Sequence, residues 1–385
     1  ISYKWMPKQN LAKVNIKQTQ TLDDDVLQFH FPTKLRFIAN GMLIDYPINV
    51  TKIEEDFYVP LDKQPAIVRF DPDYSVLANV SFDKPNGMLK KQLENKNDMV
   101  GRLLACKLLE TRKTHESVEL LTNALKNDSF YGVRIAAASA LAKHESDEAL
   151  QVLADNWTTQ IDARVRSAVV EKLTNRYRDE TPALIQSVLE DEKNPAILAN
   201  AIRGLGRFHG PATHEALLKF LNTKSFRNEL AVAAMSAIRQ LDDDELQPAV
   251  FRSLRENAKQ FRSRDYGRGL ETLAHTSRRL KDRSEVRQFL TEHLDHPKAS
   301  IQAAAVQALG TLGDPKAITV LEAVSQSENE RISRPAQQAV SKLRELKPTT
   351  PKEILELRKE IAEVKKESDK LKTELKTLRE QVEAK

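Results

Sequence analysis

Histidine beside carboxylate is the pairing from which zinc-dependent hydrolysis is built, and His144-Glu145-Ser146-Asp147-Glu148 is the stretch that comes nearest to it. A zinc helix needs a second histidine four positions after the first, so that both imidazoles share one helical face. Glu148 stands there instead, so the run reads as a turn between helices. His293 and His296, three apart and flanked by Glu292 and Asp295, form a second metal-type pair. A bound metal needs further ligands converging from elsewhere, and a solvated turn before Pro297 is the expected reading. The remaining histidines, His30, His115, His209, His214 and His275, are scattered. Cys106 stands alone in an apolar run, which excludes an intramolecular disulfide and any multi-cysteine metal site; it reads as a buried small side chain. The acid runs Asp23-Asp24-Asp25 and Asp242-Asp243-Asp244-Glu245 lack the ligand spacing and central glycine of a calcium loop. The first reads as a turn between strands, the second as a helix N-terminus. Neither a Gly-rich phosphate loop nor a nucleophile elbow occurs.

Charge is distributed unevenly. Between Arg252 and Arg287 lie eleven basic residues against five acids, a local excess greater than the +5 of the whole chain. Arg252, Arg255, Arg262, Arg264, Arg268, Arg278 and Arg279 are therefore candidate anion-binding residues, for an acidic partner or a substrate carboxylate. The alternative is a set of solvated outer helix faces. Nucleic acid is not the expected partner, because Phe261 and Tyr266 are the only aromatics interleaved with these cations.

The elements that would position such residues follow from composition and period. The chain has 385 residues, 40% hydrophobic and 30% charged, with only 11 glycines, a balance that suits a largely helical globular protein. No window approaches the length of apolar sequence a membrane span requires, so a soluble protein without a membrane partner is expected, cytoplasmic or periplasmic. The chain opens on Ile1 inside what reads as a strand, as a fragment of a larger protein would.

Three regions are expected. Residues 1–84 show period-two alternation broken by turn residues, and the runs Leu27 to Phe31, Leu35 to Ile38, Met42 to Val50, Phe57 to Val59 and Ala66 to Phe70 suit a small immunoglobulin-like antiparallel β-sandwich. Its candidate core is Trp5, Val14, Ile16, Phe29, Phe37, Ile44, Phe57, Val68 and Phe70. Residues 85–346 turn helical and repeat. Apolar starts at Val100, Val133, Val165, Ile197, Leu230, Tyr266, Ile301 and Ile332 are spaced 31 to 36 residues apart. Each opens a small-residue helix such as Val133 to Leu141 or Ile301 to Leu309, followed by a turn and an amphipathic helix such as Glu148 to Ala154, His214 to Leu221 or Ala317 to Val324. One such pair cannot bury its apolar stripe alone, so an α-solenoid of about eight HEAT-like repeats is predicted. The unit at Tyr266, carrying Gly267 and Gly269, is the poorest match to the others. The fold class is thus mainly α with an all-β N-terminal domain.

Residues 347–385 are read as a linker and a coiled-coil helix. Thr350, Pro351 and Glu353 supply an N-cap, a first-turn proline and a capping acid. Ile354, Ile361, Ser368, Leu375 and Val382 then fall at heptad position a, and Leu357, Val364, Leu371 and Leu378 at d. Arg358, Lys365, Lys372 and Arg379 occupy e, while Glu360, Glu367, Glu374 and Gln381 occupy g. That arrangement sets acid against base in a parallel pair and like against like in an antiparallel one. A parallel homodimer through residues 354–382 is expected, with a lone charged helix or one folded back on the solenoid as the alternative.

A family resemblance lies in the first two regions. Tyr3-Lys4-Trp5, Val14 to Gln20, Phe70-Asp71-Pro72-Asp73, Phe82-Asp83-Lys84-Pro85 and Asn97 to Ala105 look like the part of aminopeptidase N-like zinc metallopeptidases that follows the catalytic domain. The likeness covers residues 1 to about 344 in architecture and is carried by residues up to about Leu205. It implies a β-sandwich spacer and a helical wall limiting access to an active site, with zinc and catalytic residues in an N-terminal domain missing here. On that reading the parent hydrolyses N-terminal residues from peptides, and this part contributes no catalytic or metal-binding residue and no cofactor. The alternative is an interaction scaffold without peptidase activity, resembling transcription-factor relatives of the same architecture.

Overall fold

The computed structural model describes residues 1–178 and 180–345, and beyond them residues 357, 360, 361, 363–365, 367, 368 and 370–372. They form two compact units, Ile1–Leu241 and Asp242–Lys385. The first unit opens with strands β1 (Ser2–Met6), β2 (Leu11–Lys17), β3 (Phe31–Ala39), β4 (Met42–Val50), β5 (Glu54–Pro60) and β6 (Ile67–Phe70). They make two three-stranded antiparallel sheets, ordered β1-β2-β5 and β4-β3-β6. Alternation decides which side chains are buried: Ala12, Val14 and Ile16 from one sheet meet Leu35, Phe37, Val50 and Val68 from the other in a shared core. The β3–β4 hairpin closes through Asn40 and Gly41, both at positive φ, as a two-residue turn with right-handed strand twist requires.

One strand and one core residue expected from the sequence are corrected. The residues from Leu27 to His30 are not in a strand, and Phe29 is 56% exposed. The side chain of Gln18 takes the place of a neighbouring strand: its Nε2 donates to the Phe29 carbonyl (2.7 Å) and its Oε1 accepts from the Phe29 N–H (3.0 Å). With its backbone satisfied by a side chain, this segment has no ladder to hold Phe29 over the core. Trp5, Ile44 and Phe57 are half-buried at the core's edge.

Ten helices complete the first unit: α1 (Asn86–Glu94), α2 (Met99–Leu109), α3 (His115–Asn127), α4 (Tyr131–His144), α5 (Asp147–Asn156), α6 (Ala163–Thr174), α7 (Thr181–Asp191), α8 (Pro195–Leu205), α9 (Pro211–Asn222) and α10 (Glu229–Leu241). The small-residue helices α4, α6, α8 and α10 stack in one row that begins with α2, each touching the next, while α3, α5, α7 and α9 pack outside them. The second unit repeats the plan with α11 (Gln247–Asn257), α12 (Ser263–Ser277), α13 (Ser284–Glu292), α14 (Ala299–Leu312), α15 (Ile318–Ser325) and α16 (Glu330–Glu345), in which α12, α14 and α16 form the row. Tight approach explains Gly267 of the aberrant repeat: a Cβ there would stand 2.9 Å from that of Ala304 on the next helix. The His144–Glu148 run is the α4–α5 turn, with Glu145 in the left-handed conformation and Ser146 capping α5.

Arginines set between the helices, Arg102 buried and Arg134 and Arg166 half-buried, tie the repeats of the first unit together. Arg102 on α2 donates through Nε to Asp128 at the end of α3 (2.7 Å) and through Nη1 to the carbonyls of Asn95 and Lys96 in the preceding turn (both 2.9 Å). Arg166 on α6 does the same with Glu192 (2.9 Å) and the carbonyls of Gln160 and Ile161 (2.8 and 2.9 Å). Between them Arg134 on α4 reaches Gln160, again 26 residues on, at a longer 3.4 Å. A guanidinium removed from water is costly unless its donors are met, and Arg102 and Arg166 meet theirs by fixing a turn, their own helix and the end of the next.

The junction between the sheets and the helices uses the same chemistry. Arg69 on β6 is fully buried and pairs with Asp98, which also caps α2 by accepting from Gly101 N–H (2.8 Å). A Cβ at Gly101 would collide with both members of that pair. Lys84 is buried beside it, donating to Gln92 Oε1 (2.9 Å) over the Phe82 ring, and Gln92 donates onward to the Gly101 carbonyl.

Asp98→Ala leaves the Arg69 cation buried without its carboxylate and uncaps α2, and is expected to cost about 3–5 kcal/mol in urea unfolding, with Asp98→Asn costing less. Burial depresses the Lys84 ammonium from 10.5 to about 7. Between those values the unfolded chain holds a proton that the folded one lacks, so this residue's contribution makes stability rise with pH across that window. Lys84→Met is expected to remove that rise; urea midpoints of the two proteins from neutral to alkaline pH that stay parallel would refute it.

Candidate functional site

The basic stretch lies wholly in the second unit, and its local folding is set by apolar spacing. On α11, Val250, Phe251 and Leu254 point inward, which turns Arg252 and Arg255 outward; on α13, Val286, Phe289 and Leu290 are buried and Glu285 is exposed. Phe251 and Phe289 meet edge to face with centroids 5.0 Å apart. Beside them is an open groove of about 670 Å³ with Pro248, Phe251, Leu280 and Val286 as its apolar surface. Its charged lining is Arg252 and Arg255 together with Glu256, Asp282 and Glu285, and Arg255 pairs with Glu285 at 3.4 Å. Charges of both signs over an apolar floor suit a peptide segment better than a simple anion.

The other candidate arginines lie elsewhere. Arg278 and Arg279 converge on Asp242, Arg278 with Nη1 at 2.6 Å and Nη2 at 2.7 Å from its two carboxylate oxygens and Arg279 with Nη2 at 2.9 Å. His275 Nε2 is 2.9 Å from the same carboxylate. The hydrogen bond from Arg278 is the largest cause holding the Asp242 carboxyl at about 2 rather than 3.8. Asp242 sits at positive φ in the turn before α11 and forms the centre of this cluster rather than part of a helix N-terminus. Arg268 lies 3.9 Å from Asp265 on its own helix, while Arg262 and Arg264 are exposed at the start of α12. Arg283 donates to the Leu312 and Gly313 carbonyls (3.2 and 2.9 Å), capping α14, and Arg287 pairs with Asp314. The seven candidates are thus divided among a groove, an aspartate cluster and a helix start.

The histidines carry structural bonds. His293 Nδ1 faces the Phe289 carbonyl (2.7 Å) and Nε2 faces the Tyr266 hydroxyl (2.8 Å), which occupies both ring nitrogens. His296 Nδ1 accepts from the Lys298 N–H (3.1 Å). His144, buried, bonds the Leu109 carbonyl at 3.0 Å. These three do not fit a zinc site. The Cys106 thiol is fully buried and burial pushes it up to about 12, which leaves almost no thiolate at neutral pH. Of the seam residues, Ile354, Leu375, Leu378 and Val382 lie outside the described residues; Leu357, Ile361, Val364 and Leu371 are helical and exposed. No helix among the described residues is long and apolar enough to cross a membrane.

Arg102, Arg134 and Arg166 belong to no catalytic motif, yet they tie neighbouring helices together. Their signal is an arginine one or two positions after the first three apolar repeat starts, Val100, Val133 and Val165, answered 26 residues later by Asp, Gln or Glu.

Comparison with known proteins agrees with the repeat. The HEAT-repeat family matches residues 88–174 and 266–341, so the unit at Tyr266 opens the second match. Transcription initiation factor TFIID subunit 2 of Danio rerio is 39% identical over 77 residues, 20% of this chain and 6% of that protein. The match therefore spans a small part of its relative. Among solved structures, YibA of E. coli superposes with a TM-score of 0.50 at 16% identity over 68% of this chain and 93% of that one. The aminopeptidase A of Legionella pneumophila, solved with aspartic acid, gives 0.32 at 9% identity over 89% of this chain and 49% of that one. The YibA likeness shows the fold alone.

Asp242→Asn keeps a side chain that tolerates positive φ and removes the charge that Arg278 and Arg279 share. A carboxyl depressed in the folded state stabilises above its unfolded value and loses that contribution as pH falls through its folded one. The variant is therefore expected to lose about 1 kcal/mol or less near neutrality and to flatten the acid limb between roughly pH 4 and 2, read by urea unfolding.

Proposed function

We propose that the chain is the non-catalytic, architectural part of an aminopeptidase N-like zinc metallopeptidase. In this reading the two-sheet region is a spacer and the helical repeats wall off an active site carried by another part of the parent. Zinc and the residues acting on peptide N-termini belong to that part, and no residue of this chain is assigned to catalysis.

The observation that carries the reading is where the family-like segments meet. Phe70 to Asp73, Phe82 to Pro85 and Asn97 to Ala105 are distant in sequence, yet they border or build one junction through Arg69–Asp98 and Lys84–Gln92–Gly101. Asp71 extends it, accepting from the Thr33 hydroxyl (3.0 Å) and from the N–H groups of Ser75 and Val76 (both 2.9 Å). A junction held by buried charge resists hinge motion, which is what a spacer between an active site and its wall needs.

A second reading is an interaction scaffold without peptidase activity, favoured by the identity to a subunit of a transcription initiation factor. Metal content and aminopeptidase turnover of the full-length protein, with this chain as control, separate the two. Zinc and turnover in the full-length protein alone are the expected result; a full-length protein with neither would leave the scaffold.

A further inference from the structure

The described part of the C-terminal helix carries apolar side chains that this chain does not cover. Leu357 is 57% exposed, Ile361 61%, Val364 66% and Leu371 56%. They follow the four-and-three spacing of a heptad seam, with Ser368 at the one polar seam position among them. Along one flank run Glu360 and Glu367 at g, and along the other Lys365 and Lys372 at e. A solvated surface helix has no reason to keep apolar residues in one stripe with acids on one side and bases on the other.

We propose that this stripe docks against the same stripe of a second copy of the chain, in parallel and in register. Charge complementarity selects that occupant. In a parallel pair Glu360 meets the partner's Lys365 and Glu367 meets the partner's Lys372, twice over by symmetry. Antiparallel pairing sets acid against acid and base against base. The sequence extends the same pattern on both sides, from Ile354 to Val382, with Glu374 and Arg379 making a third complementary pair. The apolar seam supplies the affinity; the flanking charges, each pair exposed and weak, choose orientation and register. This inference does not rest on the peptidase-related reading.

Sedimentation of the whole chain tests it. At tens of micromolar the expected species has twice the 43.6 kDa of one chain, and Val364→Glu returns it to one. A monomer under those conditions overturns the proposal, as does a dimer that survives Val364→Glu, which would pair through another surface. Orientation is read separately with Ile361→Cys in a thiol–disulfide buffer, Cys106 being buried. Position a faces itself across a parallel pair, so a cross-linked dimer is expected. In an antiparallel pair position a faces position d of the partner, so Ile361 would stand opposite Leu371 or Leu378, and a cross-link formed only when Ile361→Cys chains are mixed with Leu371→Cys or Leu378→Cys chains overturns the parallel arrangement.

Discussion

A guanidinium brings five donors in a fixed fork, and the helix spacing of the first unit depends on the two arginines that use theirs most fully. Arg102 and Arg166 each bind a carboxylate at the end of the following helix and two carbonyls of the preceding turn. Three chain segments are thereby held at one point, which leaves the apolar stripes little freedom in how they stack. Small residues then let the inner row close up. Arg134 shows the same geometry under tension: its partner is the neutral Gln160, the contact is longer, and its buried Nε has no acceptor among the described residues. Gln160 is in turn tied to the Leu125 carbonyl and lends its own carbonyl to Arg166, so it links neighbouring repeats.

The junction of sheets and helices spans a change of secondary structure through one ion pair instead, the buried Nε and Nη2 of Arg69 having no acceptor among the described residues. Arg69 on β6 and Asp98 on α2 form a pair buried enough that removing either partner strands the other. The pair therefore holds the two parts in one arrangement whatever its net contribution to stability. The second unit uses arginine differently. There Arg278 and Arg279 are held by one aspartate, Arg283 caps a helix and Arg287 binds Asp314, so much of the local positive charge serves to fasten turns.

The helical repeat was legible in the sequence because small residues recur at the positions where helices touch, and the period survives even at Tyr266. The strands were legible wherever burial alternates, and failed at Phe29, where an apolar residue rides on a segment bonded to the Gln18 amide. The grouping of the basic residues was less legible for a simple reason. A charge count along a window sees only the acids inside it, while Asp242 and Asp314 lie outside the stretch they neutralise. The arginine clamps were hidden for the converse reason: an arginine beside valine reads as surface charge until its partner 26 residues away is noticed.

That partner distance bears on how such an array grows. Every acceptor of Arg102 and Arg166 lies between 7 residues before and 26 residues after it, within the span of a single repeat. A duplication or deletion of one whole unit would carry each arginine together with all its acceptors and leave no cation stranded. Loss of part of a unit would separate them at once. Where the clamp is complete, at Arg102 and Arg166, it makes the whole repeat the natural piece to gain or lose; at Arg134, whose partner Gln160 also serves the next repeat, neighbouring units are tied together.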